Sequence, residues 1–493
     1  MCEKASLNYF RDRGLLPFQA EFALSFVNEE DKPYRELVAP PGMGKTRVAA
    51  AVITRLLEER ANQRILVLAP APVLEQWQLE LSSQLSSASL TVMPRILDRR
   101  SYLELEASVA VGQSPWPLPT IILMRVDLAK REDMVSSLVQ TTWDLVVVDE
   151  SHLLTGKRRS AYYRLIDSGV ARRALLLSAT EQQLKGALVT RIQLENALDW
   201  NGRPLFTSIE RRLTAIQYSR SEEERAFLNE LSEFAKDLSI EWAYGHLQAE
   251  IILRVASSSI YATEKLLRRL QDRWREMRNK LAHGLPWANE DFKKIQSQLG
   301  LFSGDLEEID ELPNGTRVCP EAFMTLYQKL EIILDQIEHI NSDPKLEALI
   351  SHLSHSVAEK GKARFCVWSS FVDTVQYLCA NLGELGTDVY SLTSSVPVAE
   401  WSSRLAEFST AGGILVATDV ASTGFSFEDI DQCINYDLPT NVHLFEQRLG
   451  RFLRVGQTDT LYVAVLSDST HSSSFEKKQL ERLLASMPSL GQS

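Results

Sequence analysis

The chain has 493 residues, 44% of them hydrophobic and 24% charged, a globular composition sufficient for about three compact units; it excludes a lone small module, a collagen-like chain and a broadly disordered one. With 53 Lys and Arg against 65 Asp and Glu the formal charge is −12, so bulk attraction to a polyanion is excluded and any such partner must meet a local basic surface. The five cysteines are odd in number and form no C-x-x-C pair, the N-terminus is charged, and no run of about 18 apolar residues occurs, so a cytoplasmic, reducing location away from membranes is expected.

Short apolar runs alternate with helical segments through the first part of the chain: RELVA before Pro40, ILVLAP from Ile65, TIILM from Thr120, DLVVVDE from Asp144 and ALLLSAT from Ala174. Continuous apolar runs of this kind predict parallel strands covered on both faces. Between the first two, Val48, Val52 and Leu56 repeat every four residues beside Ala49, Ile53 and Leu57, the stripe of a helix. From about Phe206 to Asn341 the pattern turns to long helices. Ser221 and Glu224 form a capping box ahead of Phe227, Leu228, Leu231, Phe234 and Leu238 at helical spacing. Strand and helix alternate again after Pro344, with ARFCVWS from Ala363, GILVATD from Gly413, QCINYD from Gln432 and LYVAVL from Leu461. The expected fold is α/β: an N-terminal lobe over 1–205, an α-helical insertion over 206–342 and a C-terminal lobe over 343–493.

Pro41, Gly42, Met43, Gly44, Lys45, Thr46 and Arg47 lie between the first predicted strand and its helix, where backbone N–H groups and the helix dipole hold phosphates. The glycines allow close approach, Lys45 neutralises phosphate oxygens, and Thr46 offers a hydroxyl to Mg²⁺. This is a P-loop pattern for ATP, with Ala39 where the leading glycine is usual. Asp149 and Glu150 end an apolar strand, where open α/β sheets place their ligands; Asp149 suits Mg²⁺ through its water shell, and Glu150 the attacking water. Gln19, in LPFQ, is placed to read an adenine edge. Near the other end, Arg451 and Arg454 in QRLGRFLRVGQ are one helical turn apart, so two guanidinia can point the same way, as suits a triphosphate.

Taken in order, Gln19, the loop ending Lys45-Thr46, APAPVLEQW from Ala69, DESH from Asp149, SAT from Ser178, VWSS from Val367, ATDVASTGF from Ala417 and QRLGRFLRVGQ from Gln447 resemble the motifs of the superfamily-2 helicase-type ATPases. Within them the chain looks most like the Swi/Snf-type and RapA-like double-stranded DNA translocases. The resemblance implies two RecA-like parallel-sheet lobes with ATP and Mg²⁺ in the cleft between them, Gln447, Arg451 and Arg454 completing the catalytic set of Lys45, Asp149 and Glu150. It further implies that His152, Ser178, Thr180 and Gly424 couple the nucleotide to the track, while Pro70, Ser369, Ser370 and Thr418 face the nucleic-acid backbone with little sequence preference. The stretch Glu264 to Lys280, with seven positive and three negative residues, is read either as a solvated face or as an extension of that track. A protein partner is expected to supply the biological address. The competing functions are a DEAD- or DEAH-type RNA helicase and a subunit that uses ATP as a switch within a larger DNA-processing complex.

Overall fold

The computed structural model describes residues 6–109, 113–182, 186–193, 197–205, 211–241, 245–282, 320–360, 363–422, 430–439, 442–452, 460–469, 481 and 491–492. The described residues divide into two compact units, the first built before residue 206 and the second from Arg211 onward.

The first unit is a seven-stranded parallel sheet. Its strands are β1 (Tyr34–Val38), β2 (Arg64–Ala69), β3 (Pro94–Leu97), β4 (Thr120–Arg125), β5 (Leu145–Val148), β6 (Ala174–Ser178) and β7 (Leu188–Arg191), in the order β3-β4-β2-β5-β6-β1-β7. Parallel strands need crossovers, and helices covering both faces bury the central strands completely. One face packs Leu37, Val67, Val147 and Leu177 against the helices Pro17–Asn28, Lys45–Glu59 and Leu74–Ser87. The other packs Leu68, Met124, Val148 and Leu176 against Trp116, Trp143, Tyr162 and Leu165. Five of these strands lie where the apolar runs predict them. The edge strands β3 and β7 carry no such run: each has four residues, and half or more of each is solvent-accessible.

The second unit holds another seven-stranded parallel sheet. It consists of β8 (Arg211–Tyr218), β9 (Arg364–Trp368), β10 (Val389–Leu392), β11 (Gly413–Ala417), β12 (Gln432–Asn435), β13 (Leu461–Asp468) and β14 (Gly491–Gln492), ordered β10-β11-β9-β12-β13-β8-β14. Here the sequence expectation needs correction. Residues 211–218, assigned to the helical insertion, form a strand that pairs with β13 along its full length, from Arg211 opposite Leu461 to Tyr218 opposite Asp468. The helices Glu222–Glu241, Gly245–Ser258, Ile260–Ala282 and Pro320–Ile337 do form an α-rich layer, with Phe227, Leu231, Leu266, Trp274, Phe323 and Leu330 in one core. The capping box is real: the Glu224 N–H donates to Ser221 Oγ at 3.1 Å and the Ser221 N–H to Glu224 Oε2 at 3.2 Å. This layer shares its core with Phe371, just after β9, so it is built onto the second sheet.

Candidate functional site

The chain leaves β1 through Ala39, whose N–H donates to the Ser178 carbonyl at 3.0 Å, and enters the helix Lys45–Glu59 by way of Gly42 and Gly44, both at positive φ. At φ +70° Gly44 holds a conformation other residues adopt at a cost, and a Cβ there would stand 2.5 Å from Gln19 Nε2. Gln19 packs that closely because its carboxamide braces the loop: Nε2 donates to the Met43 carbonyl at 2.7 Å, and Oε1 accepts the Leu16 N–H at 2.8 Å. In this structure, therefore, both ends of the amide expected to read a base are engaged with the protein. Lys45 Nζ folds back onto the Ala39 carbonyl at 2.9 Å and the Pro40 carbonyl at 3.4 Å. An ammonium on main-chain carbonyls is a cation that a phosphate can claim. Thr46 is half-buried beside it, and Arg47, exposed, lies 3.5 Å from Glu80.

Strand β6 separates β1 from β5, so the acidic pair ends a strand two places, roughly 10 Å, from the phosphate-loop strand. Asp149 is almost completely buried. One carboxylate oxygen accepts the indole N–H of Trp77 at 2.8 Å and the other the Glu150 N–H at 3.0 Å. Burial pushes the Asp149 carboxyl up to about 6; the neighbouring Glu150 charge adds to the push, while the Trp77 hydrogen bond and the Lys45 charge oppose it. Glu150 has φ +50°, and its Oε2 lies 3.3 Å from His152 Nδ1. A left-handed, non-glycine residue at the end of a buried strand is local strain at the position expected to aim the attacking water.

Ser178 is buried, its Oγ accepting the Thr180 N–H at 3.2 Å, whereas Thr180 is exposed. Pro70 is half-buried at the end of β2. Two further residues join these segments. Glu36, fully buried in β1, accepts the Gln182 N–H at 3.0 Å and lies 3.5 Å from Ser151 Oγ, linking the acidic box to the chain beyond SAT. Trp77 is the donor described above. Glu36 is visible in the sequence as a charge inside the apolar run RELVA, and Trp77 as the aromatic of APAPVLEQW, an N–H that needs an acceptor if buried.

In the second unit, Gln447 and Arg448 lie on the helix Val442–Gly450, and Arg451 follows it; all three are buried. Ser369, Ser370 and Thr418 are buried too, which departs from a phosphate-facing placement. Ser369 Oγ donates to Asp437 Oδ2 at 2.7 Å, and Ser370 Oγ accepts from Arg448 at 3.2 Å. Arg454 and Gly424 fall outside the described residues. On the helix Ile260–Ala282 several cations meet carboxylates: Arg268 with Glu264 and Glu338, Arg269 with Asp373, and Arg275 with Asp272. That favours the solvated-face reading of the basic stretch.

Two adjoining buried carboxylates, with the Glu150 charge raising the proton affinity of Asp149, are chemically suited to a divalent cation, and Thr46 at the start of its helix offers a hydroxyl. Among the described residues no group of three or more His, Cys, Asp or Glu is disposed to hold a metal alone. Mg²⁺ at nucleotide sites takes one or two carboxylates, with water and phosphate supplying the rest, so the donor set fits that ion.

Comparison with known proteins yields two family matches: "Type III restriction enzyme, res subunit" over residues 14–183 and "Helicase conserved C-terminal domain" over 344–456. The RNA polymerase-associated protein RapA of Cronobacter sakazakii is 24% identical over 490 residues, covering 92% of this chain and 47% of that protein. That of Pectobacterium atrosepticum is 23% identical over 480 residues with the same coverage, 92% and 47%. The chain thus spans about half the length of the curated relatives it matches. Among solved structures, the Pyrococcus furiosus Hef helicase domain aligns over 95% of this chain and 97% of its own at 14% identity and a TM-score of 0.47. With the two helicase-family matches in chain order on two parallel-sheet units, and the phosphate loop and acidic pair at the strand ends, the chain belongs to the superfamily-2 helicase-type ATPases.

Proposed function

We propose that the protein is an ATP-driven motor on nucleic acid, a translocase on double-stranded DNA that moves along the backbone without strong sequence preference. The observation that carries this reading is the pairing of a phosphate loop, whose Lys45 rests on main-chain carbonyls, with a buried Asp149–Glu150 pair at the end of a strand two places away in the same sheet. Thr46 and Asp149 would hold Mg²⁺ through its ligands, and the ion would supply charge neutralisation to the triphosphate. Lys45 leaves the Ala39 carbonyl for the phosphates, and Glu150, its oxygen near His152, orients and deprotonates the attacking water. Gln447, Arg451 and Arg454 act as the second unit's contribution, so that turnover depends on closure of the two units around ATP. His152, Ser178, Thr180 and Gly424 relay that closure to the track, and Pro70, Ser369, Ser370 and Thr418 meet the phosphate backbone, Ser369 once Asp437 releases it. Contacts of this type position a duplex without reading bases.

The name of the RapA relatives places those proteins on RNA polymerase. For this chain we read a protein partner as the source of its address, and the cytoplasm as its site of action; among the described residues no helix is long and apolar enough to cross a membrane. ATP turnover measured with duplex DNA, single-stranded DNA and RNA, with Glu150→Gln as the inactive control, tests the proposal. Greatest stimulation by duplex DNA supports it. Greater stimulation by RNA replaces it with an RNA helicase, and absence of turnover with all three replaces it with an ATP-binding switch.

A further inference from the structure

Asp437, two residues beyond β12, is buried and accepts three hydrogen bonds through its carboxylate. Ser369 Oγ and the Ser370 N–H both reach Oδ2 at 2.7 Å, and Ser258 Oγ, from the last turn of the helix Gly245–Ser258, reaches Oδ1 at 2.7 Å. The Asp437 carbonyl accepts Arg448 Nη1 at 2.9 Å, and Arg448 Nη2 reaches Ser370 Oγ at 3.2 Å. Ser258, Ser369 and Arg448 are almost entirely withdrawn from solvent. One aspartate thus joins three segments far apart in sequence: the α-rich layer, the loop after β9 and the helix that leads to Arg451.

We propose that Asp437 is a positioning residue and Ser258 the attachment by which the α-rich layer senses both the loop at Ser369–Ser370 and the Arg451-bearing helix. The inference rests on the motor reading above and deepens it. For Ser369 to offer its hydroxyl proton to a backbone phosphate, it must release Asp437 Oδ2. That removes a donor from a buried carboxylate, and in low dielectric such a network responds as a unit. Among the described residues the remaining side-chain donor on that carboxylate is Ser258, so engagement of the track and placement of the α-rich layer become linked, and linkage runs in both directions. Packing alone asks for no hydroxyl at 258, since alanine fills nearly the same volume. Ser257 supplies a built-in control: it stands in the same helical turn, but its hydroxyl donates to the Arg254 carbonyl at 2.8 Å, and among the described contacts it makes no bond to Asp437.

The test compares the wild-type protein, Ser258→Ala and Ser257→Ala in two measurements: the ratio of DNA-stimulated to basal ATP turnover, and amide hydrogen exchange over 369–371 and 442–450. Ser258→Ala is expected to keep basal turnover, lose at least about fivefold in stimulation and exchange faster in both segments, whereas Ser257→Ala keeps the wild-type values. Unchanged stimulation in Ser258→Ala overturns the proposal, as does an equal loss in Ser257→Ala, which would mark general loosening. If wild type itself shows no stimulation by any nucleic acid, the motor reading fails. The exchange data then decide this inference alone, and unaltered protection of 442–450 in Ser258→Ala rejects it.

Discussion

Asp149 shows most clearly how function and stability pull apart at one side chain. Its carboxyl titrates at about 6 in the fold, against the usual value of 3.8, because burial and the Glu150 charge disfavour the anion. The folded state therefore keeps a proton that the unfolded chain releases. Stability from this group is greatest below the ordinary carboxylate range, falls as pH rises towards 6, and stays low above it. Asp149→Asn should stabilise the nucleotide-free protein at pH 7.5 by on the order of 1–3 kcal/mol, flatten the dependence between pH 4 and 6, and abolish ATP turnover. Thermal unfolding across that pH range measures the first two effects; a variant no more stable than wild type would mean the carboxylate is well compensated in the fold. Trp77 opposes the upward shift by donating to Asp149. Trp77→Phe should move the apparent carboxyl titration higher, read by the pH dependence of stability, and an unmoved curve would remove the indole from the account. The acidic pair itself was legible in DESH; its indole partner was not, because a helix 72 residues earlier in the chain supplies it.

Among the elements, the phosphate loop was the easiest to read, since glycine-rich approach and a Lys-Thr helix start leave few chemical alternatives. Its brace was not legible: a glutamine in LPFQ carries no sign that its amide will close over Met43. Gly44→Ala must place a side chain at φ +70° and against Gln19, costing about 1–2 kcal/mol in the backbone alone. Nucleotide affinity should fall about tenfold or more, and adding Gln19→Ala should restore only part of it, because removing the amide clears the clash but leaves the strain. Full recovery in the double variant, measured by nucleotide titration, would show that the clash was everything. In β1, burial raises the Glu36 carboxyl and so works against its charge, and Glu36→Gln should be tolerated. Glu36→Leu instead strips the Gln182 N–H of its acceptor at a cost of about 1–3 kcal/mol; equal melting temperatures for the two variants would contradict that role. Strand β8 escaped sequence reading for a different reason. Its buried positions, Leu213, Ile216 and Tyr218, break the two-residue alternation of a strand, its partner β13 lies some 250 residues further on, and the helices that follow it dominate the local pattern.

Across the whole molecule, the two sheets were legible in motif order, since the phosphate loop, the acidic box and SAT sit at the ends of β1, β5 and β6 while Gln19 and Gln447 lie on helices, and six or more motifs in sequence constrain the topology between them. The hydroxyl directions at Ser369 and Ser370 escaped it, because Asp437 and Arg448 are brought to them by tertiary packing. The motor reading depends on groups from both units acting on one triphosphate. It is tested most directly by measuring nucleotide affinity and DNA-stimulated ATP turnover on the same preparations of wild type and Arg451→Ala. The expected result is that Arg451→Ala binds ATP within a few-fold of wild type but loses DNA-stimulated turnover by on the order of 10³. Turnover in Arg451→Ala that still rises with DNA as it does in wild type would contradict the account.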